Sequence, residues 1–324
     1  MTERARDIRM YLPVYVVVLA VYSLAGFLSP TFFTWNNNVN LFGRVAPLIL
    51  AGLAQTFVVL TGGIDLSLGA MISATNVMAA SLPYVGEPIH PVLWCLLPPL
   101  AGLAMGSANG LLVASGRFPP FIVTLATSYV YLGIALFFMD EPGGEISPGL
   151  TWVASGRVLG LPTTLILMLL SVFLAHVFLS RTGSGRSLYA VGASDTLATQ
   201  SGIHCGRVRF LAYALSGLLS GLTGTYLSAR MFAGDPLVGE PYVMNSIAVA
   251  VIGGSSLAGG RGGALGIIGG AYIFYLIDNI LNLLSVGAFY QYVAKGMVLI
   301  LALAFSTPDL LKRLGLSRGK GGTC

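Results

Sequence analysis

Asp278, Asn279 and Asn282 stand in an otherwise apolar run, and Asp278 and Asn282 are four residues apart, hence on one face of a helix. Polar groups in such a run are costly unless they face a bundle interior or a wet cavity. They can line a path for a hydroxyl-rich solute or bond across helices. Lys295, in the next apolar run, can pair with Asp278 or extend its ammonium outward. A second polar site reads Gly62-Gly63-Ile64-Asp65-Leu66-Ser67-Leu68-Gly69. Asp65 there can cap a helix start and meet the positive end of its dipole. Alternatively, Asp65 stands at an inner gate or a subunit contact, and both Asp65 and Ser67 are candidates to line a pathway. Asn76, Asn109, Thr124 and Asn245 are further polar groups in apolar surroundings and candidates for the same lining.

Catalytic chemistry has no such footing. No Ser/His/Asp set or carboxylate pair falls at a shared depth, and nothing matches G-x-x-x-x-G-K-[ST]. Cys95, Cys205 and Cys324 are scattered without CxxC spacing, and His90, His176 and His204 form no ligand cluster, so neither a disulfide framework nor a metal site is expected.

These residues must be positioned by membrane spans. The chain has 324 residues, 55% hydrophobic and 9% charged, with a mean hydropathy of +0.83. Soluble domains carry about 25% charged residues, so this chain cannot cover a water-facing surface. The composition defines an all-α, multi-pass membrane protein, one transmembrane domain over residues 1–324, lying in the lipid bilayer. A crossing takes about 20 apolar residues. Ten are expected, near Tyr11–Leu28, Phe42–Leu60, Leu66–Leu82, Val92–Ser115, Pro119–Met139, Leu161–Leu179, Phe210–Ala229, Tyr242–Leu257, Gly263–Leu284 and Ala288–Phe305. The first has no A-x-A cleavage site and reads as an uncleaved span. The third and eighth are short, hence tilted, interrupted or re-entrant.

The positive-inside rule orients this set. With the N-terminus in the cytosol, Arg4, Arg6, Arg9, Arg117, Arg181, Arg186, Arg207, Arg209, Arg261 and the Lys312–Lys320 tail all fall inside. Only Arg44, Arg157 and Arg230 fall outside, among Glu87, Asp140, Glu141, Glu145, Asp235 and Glu240. Both termini are then cytosolic. The net charge of +5 follows from this topology and calls for no nucleic-acid partner. The long polar segment Arg181–Arg209 also lies in the cytosol.

Glycine spacing predicts close helix packing. Gly102, Gly106 and Gly110, Gly217 and Gly221, and Gly262, Gly266 and Gly270 recur every four residues on three spans. Such stripes let helix backbones approach. Thr61-Gly62-Gly63 and Ile252-Gly253-Gly254 form a weak internal echo. Each is a broken helix beside a transport path or an ordinary turn.

The runs Phe27-Leu28-Ser29-Pro30-Thr31-Phe32-Phe33-Thr34, Leu60 to Gly69, Thr182 to Ile203, Val251 to Gly263 and Phe289-Tyr290-Gln291 resemble the permease subunit of bacterial ABC importers of the ribose/monosaccharide class. The resemblance implies a ten-span, type II importer-like subunit in the cytoplasmic (inner) membrane. A second permease subunit, identical or paralogous, would complete the pathway. Cytosolic ATPase subunits would bind ATP and Mg, so this chain itself is no enzyme, and a periplasmic binding protein would dock outside. It further implies that Ala193, Ser194, Asp195, Thr196, Leu197, Ala198, Thr199, Gln200 and Ser201 form the helix that couples to the ATPase. In two places the chain departs from the family pattern. Val243-Met244-Asn245 stands where many members have Glu-Leu-Asp, and His204-Cys205-Gly206 replaces more polar residues. The first alternative is an ion-coupled secondary transporter, for which Asp278 and Lys295 are the available charges, or else an ABC permease for another small solute such as a sugar-like signalling molecule or branched-chain amino acid. The second is a non-transporting membrane scaffold or receptor.

Overall fold

The computed structural model describes residues 3–28, 32–81 and 91–306. Leu82, Glu87, His90, the Lys312–Lys320 tail, Cys324 and the Ser29–Thr31 part of the first motif lie outside the described residues.

The chain is mostly helical. Its helices are α1 (Glu3–Leu28), α2 (Trp35–Leu60), α3 (Leu68–Ser81), α4 (Pro91–Ala114), α5 (Pro120–Phe138), α6 (Pro148–Ser155), α7 (Thr163–Arg181), α8 (Gly183–Ala193), α9 (Asp195–Gln200), α10 (Cys205–Met231), α11 (Glu240–Ile252), α12 (Ala264–Leu283) and α13 (Ala288–Ser306). A two-residue antiparallel pair, β1 (Arg157–Val158) with β2 (Leu161–Pro162), joins α6 to α7. The all-helical expectation did not include it. Six helices among the described residues are long and apolar enough to cross a membrane: α2, α5, α7 and α10 whole, and Cys95–Ala114 of α4 and Ala264–Asn282 of α12. The protein is a multi-pass membrane protein.

Helix α2 is the central column. Its side chains from Val45 to Leu60 are buried, and it packs on α10, α11, α12 and α7. The largest helix–helix interface joins α4 to α10. There Gly102 and Gly106 meet Gly217 and Gly221 in antiparallel register, and Gly110 meets Phe210. A Cβ on Gly217 would overlap the Gly102 carbonyl and lie 2.6 Å from the Gly106 Cα. The stripe on α12 works against α11, with Gly266 facing Gly253 and Gly270 facing Val249. Gly262 is not part of it. It precedes α12 at φ +142, against Ser255, because the chain is still turning there.

Short helices stand where the short third and eighth spans are expected, each preceded by a non-helical stretch. Helix α3 has 14 residues and α11 has 13. At 1.5 Å per residue they reach about 20 Å, against about 30 Å of hydrocarbon core. Residues 61–67 and 232–239, both non-helical, lead into them. The two helix starts meet inside the bundle, where Gly69 and Gly239 touch so closely that a Cβ on either would overlap the other's carbonyl region. Backbone unwound at this depth needs partners, and α3 supplies them. Ser73 Oγ accepts from Gly239 N at 3.0 Å, and Asn76 Oδ1 accepts from Asp235 N at 2.7 Å.

The bundle has two distinct ends. At one, the Gly62-Gly63 and Gly253-Gly254 turns converge, Gly260 N donates to Leu60 O at 3.0 Å, and Gly192 packs against both residues. Here the echoed Gly pairs are turns. The elements carrying Arg117, Arg181, Arg186, Arg207, Arg209 and Arg261 end here too. At the other, the loops after α5 and α10 join through reciprocal Gly143–Gly234 backbone bonds of 2.9 and 2.7 Å, near Arg157 and Arg230.

Candidate functional site

Helices α11, α12 and α13 enclose an open groove of about 640 Å³, lined among others by Glu240, Met244, Asn245, Phe274, Tyr292 and Lys295. Glu240 and Asn245 come from the short helix α11, which carries the groove wall from mid-bundle toward one end. Lys295 Nζ sits 2.8 Å from Asp278 Oδ2 and 5.7 Å from the ring centroids of both Phe274 and Tyr292. The Lys295 ammonium thus turns inward, held by one carboxylate and two aromatic faces. Glu240 and Asn245 add an acceptor and an amide with no side-chain bond among the described residues. The groove combines hydrogen-bonding groups with aromatic walls and suits a small polar solute.

Breaking this ion pair has a predictable cost. Asp278 Oδ1 is already buried without a partner, and the two side chains are only 16% and 24% exposed. Lys295→Met is expected to lower stability by about 2 kcal/mol, between the values for exposed and fully buried pairs. Asp278→Asn combined with Lys295→Met is expected to regain most of that, because no uncompensated carboxylate remains. Thermal unfolding of the purified variants checks both.

Most other candidates lie elsewhere. Asn279 and Asn282 line a separate polar recess of about 260 Å³ with Asn37, Asn40 and Arg44. Asn282 also donates to Asp278 O at 2.9 Å and accepts from Gln291 at 3.1 Å. Asp65, Ser67, Asn76 and Asn109 are all fully buried and reach no open groove. Asp65 Oδ1 accepts from Ser67 N at 3.0 Å and Ser67 Oγ at 2.6 Å, while Oδ2 accepts from Ser216 Oγ at 2.9 Å. Asn109 Nδ2 donates to Ser67 Oγ at 2.7 Å, and Tyr131 OH donates to Asn109 Oδ1 at 3.0 Å. Gln55, in the orientation that satisfies both ends of its amide, brackets the Asp65 backbone with two bonds of 3.2 Å. This network caps the approach to α3 and ties it to α2, α4, α5 and α10. Thr124 Oγ1 adds a bond to Ile64 O at 3.2 Å. Asn76 serves the unwound 232–239 segment, as described above. In this structure all four residues are bonded within the protein interior and none lines the open groove.

Glu240, Met244 and Tyr292 were missed as groove residues. Glu240 sits in sequence that reads as a loop acid, and nothing in one sequence pairs α11 with α13.

The polar segment after α7 folds as two helices. Thr182 caps α8, accepting from Gly185 N at 2.9 Å, and Ser194 caps α9, accepting from Leu197 N at 3.3 Å. Ala193 ends α8 and Ser201 follows α9, so the helical part of the expected 193–201 unit is Asp195–Gln200. Asp195 pairs with Arg209 at the start of α10. Leu197 stands 64% exposed on α9, whereas Ala198 is buried. A capped, salt-bridged helix holding an apolar side chain outward is a ready contact surface.

A family model described as branched-chain amino acid transport system / permease component matches residues 37–303. The chain belongs to this family of transport-system permeases. Among its relatives it is 38% identical over 295 residues to the ribose import permease protein of Bacillus subtilis (strain 168), covering 90% of each chain. It is 34% identical over 294 residues to the ribose import permease protein of Escherichia coli (strain K12), covering 89% of this chain and 90% of that one. To the D-allose transport system permease protein of the same organism it is 32% identical over 294 residues, covering 90% of this chain and 89% of the other. No solved structure matches it at a significant level.

Proposed function

We propose that this chain is the translocation subunit of an ATP-driven importer for a monosaccharide, in the bacterial inner membrane. The observation that carries this reading is near-full-length similarity to permeases named for ribose and allose import. Ten membrane segments with both termini in the cytosol agree with the distribution of basic residues between the two ends. The open groove beside α11 and α13 then forms part of the pathway. Exposed Tyr292, Met297 and Ile300 on α13 provide a face for a second permease subunit. ATP and Mg belong to a separate cytosolic ATPase, and a periplasmic binding protein delivers the sugar to the opposite end.

Movement enters through α9. The unit from Ala193 to Ser201 seats on the ATPase through Leu197, and Gly192 transmits its displacement to the end of α2 by direct backbone contact. Differential contacts in outward- and inward-open states supply the coupling. Replacing residues 193–201 with a Gly/Ser linker is expected to abolish solute-stimulated ATP hydrolysis in the assembled complex while leaving membrane insertion intact. Unchanged stimulation overturns the role of α9. Uptake of labelled ribose, allose and leucine by vesicles containing the complex tests the solute class, and preference for leucine overturns the sugar assignment.

A further inference from the structure

Arg44, Arg157 and Arg230 break the charge asymmetry of the chain, and all three gather around the first turns of α2. Arg157 and Arg230 line a recess of about 320 Å³ with Asn40, Gly43 and Ser155. Arg44 lines the adjoining recess, which shares Asn40. Among the described residues none of the three guanidinium groups forms an ion pair or donates a hydrogen bond, although five donors on each call for acceptors.

Below this cationic recess runs a second cavity of different character. It holds about 180 Å³ between α2, α6, α7 and α10, and its walls include Leu50, Leu150, Val153, Leu167, Met168 and Leu222. Thr164 and Tyr226 line both cavities, their hydroxyls 3.1 Å apart at the junction. Tyr226 is fixed there by donating to Gly43 O at 3.0 Å. Leu167 and Leu222 are 38% and 37% exposed on helices long and apolar enough to face lipid, so the cavity opens sideways. Apolar voids of about 150 Å³ stay dry and accept apolar guests.

We propose that the two cavities form one amphipathic site for an anionic phospholipid, its phosphate held by Arg157 and Arg230 and part of one acyl chain seated between α7 and α10. A sugar does not fit the lower cavity, where the hydroxyls of Thr164, Ser171, Thr225 and Tyr226 already donate within the protein and the rest of the wall is apolar. A free anion leaves that cavity unexplained. Only a ligand charged at one end and apolar along its length satisfies both.

The test uses delipidated protein in detergent, with thermal unfolding and native mass spectrometry. Phosphatidylglycerol, phosphatidylcholine of matched chains and inorganic phosphate are added separately. Phosphatidylglycerol is expected to bind more tightly than phosphatidylcholine by about fivefold for each arginine engaged and to raise the unfolding temperature, whereas inorganic phosphate has no effect. Arg157→Gln with Arg230→Gln is expected to bring the two lipids to equal affinity. Ser171→Phe, which fills the lower cavity from its α7 wall, is expected to weaken both. Equal binding of the two lipids by the wild type overturns the proposal without recourse to any variant. So does stabilisation by inorganic phosphate alone, which marks a free-anion site, or a lipid preference that survives the double substitution.

Discussion

Gly217→Val is expected to abolish accumulation of folded protein. The Gly217 Cα faces the backbone of α4, and an added Cβ meets the carbonyl of Gly102 and the Cα of Gly106 together. Neither obstacle is the flexible end of a side chain, so relief requires α4 and α10 to separate along their whole contact. Overpacking by one methyl costs about 1–3 kcal/mol in well-packed interiors. Gly217→Ala therefore falls in that range, and the two further methyls of Val carry the loss beyond about 3 kcal/mol. Fluorescence-detected gel filtration and melting of the solubilised protein read both. Gly133 on α5 is the control. A Cβ there meets nothing within 4 Å, and Gly133→Ala is expected to be neutral or stabilising by about 0.5 kcal/mol, as helix propensity dictates. Gly102→Ala and Gly217→Ala together are expected to cost less than the sum of the singles, because the first methyl already opens the gap that the second would fill.

How much of this was legible depends on the kind of information required. The four-residue spacing of Gly102, Gly106 and Gly110 declares a packing face, since periodicity maps directly onto a helix surface. Which stripe meets which is set by tertiary register, and the inclusion of Gly262 shows the limit. Its spacing fits the stripe, yet it stands two residues before α12 begins and is not helical. The short helices α3 and α11 expose a deeper ambiguity. Residues 232–239 contain Gly234, Pro236 and Gly239 with Asp235 and so read as a water-exposed loop. Unwound backbone inside a bundle has the same composition, because it too must avoid helix and engage polar partners. Composition cannot separate the two, and Ser73 and Asn76 become recognisable as the partners only when α3 is placed beside that segment. The polar candidates divide for the same reason. Asn245 and Asp65 look equivalent in sequence, each a hydrogen-bonding group in apolar surroundings. One ends beside an open groove and the other at the centre of a closed network.

Asp65→Ala is expected to destabilise the protein by at least about 3 kcal/mol. The carboxylate accepts from one backbone N–H and two hydroxyls, and a buried donor left unsatisfied costs about 1–3 kcal/mol. The Ser67 hydroxyl can rotate and Ser216 can turn toward its own helix, which offsets part of the sum. The Ser67 N–H has no such freedom. Asp65→Asn keeps an acceptor oxygen within reach of that N–H and is expected to lose less than half as much. Unfolding of the three proteins in detergent measures the order. Residues that line an open route behave in the opposite way: substitution there changes transport and leaves stability within about 0.5 kcal/mol, the range for surface positions. Asn245→Ala, at the groove, is expected to follow that second pattern. An Asp65→Ala variant that melts with the wild type yet transports poorly would place Asp65 on the pathway. Loss of stability with the Asn variant largely intact identifies it as the post on which the unwound approach to α3 is hung.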